Sequence, residues 1–526
     1  MSGARSGWWL ALLIAGGAGA LPAQAVGFTL PAGPYAVGFE ARDLVDRTRT
    51  YRATVTVSGA PETRERGRPV QTSIWYPAAP TGRAPMRYAD YFALAARQEG
   101  ALDGAALARA IAAYRRLWLA EGITPGRMDS VLQAPVAARR NVAPARGRFP
   151  VVVYNAGGGQ PSWDNSVLCE FLASHGYVVI ASPSTWNWER TRALADDIAS
   201  AEAAARDMEF QLGVARTLPY ADPGPVAVMG YSWGGLAGPM VAERNGDVAA
   251  VVNLDGSIRY YPELFATASH HDPAAMRAAF LQLSQGLERM ELEAKAAGQE
   301  PDTAMVRLLT RPFAFFEGIR YADAWHVTMQ RFGHGNFSSN FVMLWGERHP
   351  GEPTEAEDVA GYGVLGRYVL AFLNANLRHD AAARAWLARS PADNGVPPGV
   401  VEVAFRPARA EPPPTIDGFA RYAGAHGFEA LRSLADSIHQ ADSTYGLSED
   451  DAGLWAQLLG DEGQQARALW VRRWTVERFP DSRGAQGSLC QAIDGPAERH
   501  ACWAGMLARW PDSDWAKQEL AKETAP

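Results

Sequence analysis

An α/β fold, a mostly parallel sheet with helices on both faces followed by an all-α region, is predicted by three features of the sequence. Nearly unbroken apolar runs recur at Phe149–Tyr154, Tyr177–Ala181, Pro225–Met229 and Val248–Leu254, with helix-length segments between them. Strands buried on both faces lose the polar alternation of a solvated sheet, and helical crossovers make them parallel. The third run ends in Gly230-Tyr231-Ser232-Trp233-Gly234, a serine held between glycines where a strand should pass into a helix. Further on, the composition turns helical, and Arg478-Phe-Pro-Asp-Ser482 returns as Arg509-Trp-Pro-Asp-Ser513, 31 residues later.

The 526 residues, 47% of them hydrophobic, suffice for more than one domain. The formal charge of −7 comes from interleaved acids and bases. No basic stripe exists to neutralise phosphates, so nucleic acid is not an expected partner. Residues 1–25 read as a secretory signal peptide: Arg5, an apolar stretch from Trp8 to Leu21, then Ala23-Gln24-Ala25. The stretch is too short for a bilayer span of ~20 residues, so a secreted or periplasmic location without a membrane span is expected. Of the three cysteines, Cys490 and Cys502 can pair in such a compartment, which leaves Cys169 as a buried thiol. No metal-binding spacing occurs, and no cofactor is expected.

Residues 26–390 form the expected catalytic domain. Tyr51–Val57 and Val70–Tyr76 read as an antiparallel strand pair. A helical insertion covers about 88–128, and a second, at 262–309, lies where a lid would sit. Pro312–Phe316 and Trp325–Gln330 read as the closing strands, and Tyr362–Leu377 as the last helix. A Pro-rich linker at 391–414 leads to a helical region, 415–526, whose recurring motif resembles tetratricopeptide-type repeats and offers a surface for a protein partner.

A serine at such a turn performs acyl transfer only with a base, an acid that orients the base, and donors for the oxyanion. His334, between glycines directly after the last parallel strand, suits the base; His326 lies within a strand and His349 in a polar loop. The acid is Asp255, Glu317 or Asp323, each near a strand end, and position alone favours none. The turn Asn155-Ala156-Gly157-Gly158-Gly159 follows the first parallel strand. Its N–H groups, that of Gly158 or a neighbour, are expected to meet a developing oxyanion together with that of Trp233. Trp163, Trp186 and Trp188 are expected to line an apolar substrate pocket.

From Pro34 to Asp380 the chain resembles secreted α/β-hydrolases of the platelet-activating-factor acetylhydrolase (isoform II) and dienelactone-hydrolase-like families. The resemblance rests on Arg68-Pro-Val70, Ile74-Trp-Tyr-Pro77, the glycine turn, Gly-Tyr-Ser-Trp-Gly-Gly, Leu254-Asp255-Gly256 and His334-Gly-Asn-Phe337. It implies an α/β-hydrolase fold, a Ser232–Asp255–His334 triad and hydrolysis of a small-molecule or lipid-like ester without metal or cofactor. The chain departs from the family where Ala156-Gly157 replaces a His-Gly pair, and in the length of its second insertion. Two alternatives remain open at this level: an acyltransferase using the same residues, and an exported binding or scaffold protein with a vestigial hydrolase domain.

Overall fold

The computed structural model describes the chain except residues 1–26, 29, 57, 99–101, 103, 186–197, 269–271, 275, 345–352, 440–444 and 524–526. The proposed leader therefore lies outside the described residues. The chain divides into two compact units, Met1–Ala408 and Arg409–Pro526.

The first unit is built on ten described strands: β1 (Ala36–Thr50), β2 (Gly67–Ala78), β3 (Ala138–Arg140), β4 (Val151–Asn155), β5 (Val178–Ser182), β6 (Val226–Tyr231), β7 (Val248–Leu254), β8 (Ala279–Gln285), β9 (Ala324–Met329) and β10 (Val401–Arg406). They form one sheet in the order β10-β9-β8-β7-β6-β4-β5-β2-β1-β3. The stretch from β9 to β5 is parallel, while β2 pairs antiparallel with β5 and β1, and β10 with β9. Alternate residues of each central strand enter opposite cores. Val152, Tyr154, Ala227 and Met229 pack with the helices Ser166–Ser174 and Glu355–Leu377. Val151, Val153 and Val228 pack with the helices Ile198–Arg216 and Gly234–Arg244. This double burial is why the runs read as continuously apolar. The architecture is the α/β-hydrolase fold, with a helical unit after it.

The first helical insertion comprises Tyr88–Ala95, Gly104–Ala120 and Pro125–Gln133. Elsewhere the sequence reading needs correction. The partner of β2 is β1, at 36–50, rather than 51–57. Charges such as Arg42, Asp46 and Arg49 mask the period of β1 and are paired in the fold, Arg49 with Asp46 and Asp207 at 2.7 Å each. The stretch 262–309 is not one helical insertion, because β8 runs through it. Gln282 and Ser284 give that strand a mixed pattern although both are buried. Pro312–Phe316 is not a strand: Ala314–Gly318 is a short helix whose Phe315 packs on Phe265 and Phe280. The region 391–414 is not wholly linker either, since β10 closes one edge of the sheet there.

The second unit is a succession of helices, from Ile416–His426 to Asp514–Glu523. A disulfide joins Cys490 and Cys502, and Cys169 of the first unit is a buried free thiol. The recurring motif has a local cause. Its prolines end one helix, and its serines cap the next, Ser482 accepting from the N–H of Ala485 at 3.0 Å and Ser513 from that of Ala516 at 3.3 Å. Among the described residues, no helix is long and apolar enough to cross a membrane.

Candidate active site

β6 ends in a turn that has no room for a side chain at residues 230 and 234. Ser232 has φ 51°, in the left-handed region that a non-glycine residue enters only under constraint. A Cβ on Gly230 would lie 2.2 Å from the carbonyl oxygen of Gly234, and one on Gly234 2.3 Å from that of Asn155. The turn is pinned from outside: the Ser232 N–H donates to the carbonyl of Leu254 at 3.1 Å, and its carbonyl accepts from the N–H of Ser257 at 2.8 Å.

Asp255 follows β7, also with a positive φ, of 46°, and is fully buried. Its carboxylate collects four donors. Oδ1 accepts from the Gln285 N–H at 3.0 Å and from the Tyr260 hydroxyl; Oδ2 accepts from Gln285 Nε2 at 3.1 Å and faces His334 Nδ1 at 2.6 Å. Burial and the neighbouring Asp255 push the Tyr260 phenol well above its ordinary range, so it remains a donor. On its other side the imidazole meets the serine, Nε2 to Oγ 2.8 Å. A carboxylate only accepts, so Nδ1 carries the proton and Nε2 is left to accept from the serine hydroxyl.

His334 opens a short turn, His334–Phe337, held by the Gly333 N–H donating to Asn336 Oδ1 at 2.9 Å. Tyr231, the residue before the serine, supports it from below. The phenol stacks on the imidazole at 5.2 Å, and its hydroxyl donates to the His334 carbonyl at 3.1 Å.

The glycine turn after β4 lies against the same tyrosine, for a Cβ on Gly157 would come within 2.8 Å of the Tyr231 ring. In that turn the N–H of Gly157 donates to Asp164 Oδ2 at 3.1 Å, that of Gly159 to the Ser184 carbonyl at 3.2 Å and that of Gln160 to the Gly157 carbonyl at 2.8 Å. Among the described residues, the N–H groups of Gly158 and Trp233 have no acceptor.

The other candidates fall elsewhere. Glu317 is exposed on the short helix before β9, and Asp323 sits at the amino end of β9 in an ion pair with Arg384 at 2.9 Å. His326 is enclosed by Phe313 and Phe316 and bonded to Ser284 Oγ at 2.5 Å; burial pushes its imidazole down to about 4. Trp163 is no pocket wall: it is fully buried among Tyr88, Phe92 and Tyr114 of the first insertion, where a large indole fills the space behind the turn. Trp186, Trp188 and His349 lie outside the described residues. Sequence reasoning missed Tyr231, Tyr260 and Gln285. Tyr231 sits inside the motif itself, whereas Gln285 becomes visible only once β8 is placed beside β7.

A family comparison agrees with this fold. Residues 135–281 match the model of the dienelactone hydrolase family, a span that includes Ser232 and Asp255 and stops short of His334. The chain is similar to a ferulic acid esterase from Streptomyces cinnamoneus, with 19% identity, a TM-score of 0.49, and coverage of 72% of this chain and 98% of that one. No match was found among curated proteins. The first unit thus has the α/β-hydrolase fold and carries a segment similar to dienelactone hydrolases.

Proposed function

We propose that the protein is a serine-dependent carboxylic ester hydrolase acting on a short-acyl or lipid-like ester. The observation that carries this reading is the unbroken relay from Asp255 through His334 to Ser232, with contacts of 2.6 and 2.8 Å and the serine on a strained turn. In the proposed cycle Ser232 Oγ attacks the ester carbonyl while His334 Nε2 takes its proton. Asp255 fixes the tautomer and steadies the imidazolium that forms. The N–H groups of Gly158 and Trp233 receive the developing oxyanion. His334 then returns the proton to the departing alcohol, and water, activated by the same imidazole, releases the acid.

An exported location fits the Cys490–Cys502 disulfide, a bond that persists in oxidising compartments. The paired helices of the second unit suit a protein-binding role.

Labelling with a fluorophosphonate probe, wild type beside Ser232→Ala, together with p-nitrophenyl acetate hydrolysis, tests the chemistry. Wild type should label, and the variant should lose both labelling and nearly all turnover, on the scale of ~10⁶-fold in kcat. A variant retaining most of the wild-type rate would overturn the reading.

A further inference from the structure

Behind the glycine turn lies a carboxyl group that the cycle above leaves unused. Asp164 is completely buried. The titratable groups facing it among the described residues are Tyr154 on β4, Tyr231 at the end of β6, Tyr88 and Tyr114 of the first insertion, Cys169 on the helix Ser166–Ser174 and Tyr362 on the helix Glu355–Leu377. None of these is a cation. Burial there pushes the carboxyl up to about 7, and an apolar residue of similar size would avoid that cost.

The contacts of Asp164 point two ways. Its side chain serves the glycine turn, with Oδ2 accepting from the Gly157 N–H at 3.1 Å and Oδ1 from the Tyr154 hydroxyl at 2.7 Å. Its main-chain carbonyl serves the segment after His334, accepting from Ser338 Oγ at 2.9 Å, Ser339 Oγ at 3.2 Å and the N–H of Asn340 at 2.8 Å. Asn165 doubles the second tie, donating from Nδ2 to the Phe337 carbonyl and accepting the Ser339 N–H at Oδ1, both at 2.9 Å.

We infer that Asp164 is a positioning residue for the proposed ester hydrolysis. By holding the Gly157 N–H it fixes the turn so that the next N–H, that of Gly158, stays free for the oxyanion, while its carbonyl keeps that turn in register with the segment carrying the base. The inference rests on the Ser232 reading. Without the carboxylate, Gly157 has a buried N–H to satisfy, and the turn relaxes to do so, carrying the Gly158 donor away from the oxyanion.

The test compares Asp164→Leu and Asp164→Asn with wild type and Ser232→Ala, using p-nitrophenyl acetate as substrate and phenylboronic acid as a probe that forms a tetrahedral adduct. An asparagine can accept from Gly157 through Oδ1 and donate to the Tyr154 oxygen, so it should keep kcat within about fivefold, whereas leucine should lower kcat about 10²-fold with KM within about twofold. Phenylboronic acid affinity should fall in step with kcat. If the leucine protein is insoluble, Tyr154→Phe, which removes the hydroxyl that aims the carboxyl, should give a smaller loss with the same kcat-only signature. Loss of turnover in Ser232→Ala beside unchanged kcat in the folded leucine or phenylalanine variant overturns this inference alone. Turnover surviving in Ser232→Ala overturns the esterase reading and this inference together.

Discussion

Tyr231 and His334 are joined twice, ring against ring at 5.2 Å and hydroxyl to main-chain carbonyl at 3.1 Å. Because Tyr231 immediately precedes Ser232, nucleophile and base share one anchor. The stack sets the plane of the imidazole, and the hydrogen bond sets the height of the loop that carries it. Tyr231 is itself fixed by its place on β6 and by the glycine turn pressed against its ring.

Tyr231→Phe keeps the stack and removes the hydrogen bond. The expected result is a kcat lower by roughly 3- to 10-fold at nearly constant KM, with a stability loss of about 1 kcal/mol. Steady-state kinetics on p-nitrophenyl acetate and a urea titration read the two effects separately. An unchanged kcat would show that the stack alone positions the base.

The donors around Asp255 make a graded series. Asp255→Asn places an amide against Nδ1, favours the wrong tautomer and should lower kcat by roughly 10⁴-fold. Gln285→Leu and Tyr260→Phe each remove side-chain support and leave the Gln285 N–H in place, so each should cost about tenfold or less, with the double variant worse than either. Kinetics across the four proteins check the order Asp255→Asn, double variant, single variants.

Two buried groups give stability opposing pH slopes. Burial pushes His326 from 6.5 down to about 4, so the unfolded chain gains a proton in that window which the folded one refuses. Stability contributed by neutral His326 is therefore lost as pH falls from 6.5 towards 4. Asp164 is pushed from 3.8 up to about 7, so its contribution is complete below pH 3.8 and is lost as pH rises through 7. Asp164→Asn removes only the second slope. Urea midpoints measured at pH 4.5 and 6.5 should rise with pH more steeply in the variant than in wild type, and equal slopes would count against this assignment.

The disulfide acts within the helical unit. Cys490→Ser with Cys502→Ser should lower the stability of that unit by about 3 kcal/mol, from the loop closure lost to the unfolded chain. Ester hydrolysis should be unaffected, because the relay lies wholly in the first unit. Denaturation followed by circular dichroism, alongside kinetics, checks both halves.

Much of the centre of the fold was legible because β4 to β7 are apolar on both faces, a pattern few other structures share. The elbow was readable from Gly-x-Ser-x-Gly and the base from its place after the last parallel strand, whereas Asp255 was separated from Glu317 and Asp323 only by the family resemblance. The edges were not. β1 pairs Arg49 with Asp46 on the same strand and with Asp207 on the helix Ile198–Arg216, and β8 buries Gln282 and Ser284, so neither carries a strand period in its own composition. Trp163 was misassigned for a related reason: proximity along the chain to the glycine turn says nothing about which side of that turn the indole occupies.

The strand order also bears on when the protein becomes armed during synthesis. β7, β6, β4 and β5 are neighbours in the sheet and all come from Val151–Leu254, so the middle of the sheet can assemble as soon as that stretch is available. The strand that carries Ser232 is then in place, while Asp255 gains the Gln285 donors only with β8 and His334 arrives only after β9 has been laid down. A growing chain thus holds its nucleophile idle until the base is delivered, and no half-made molecule carries the complete relay.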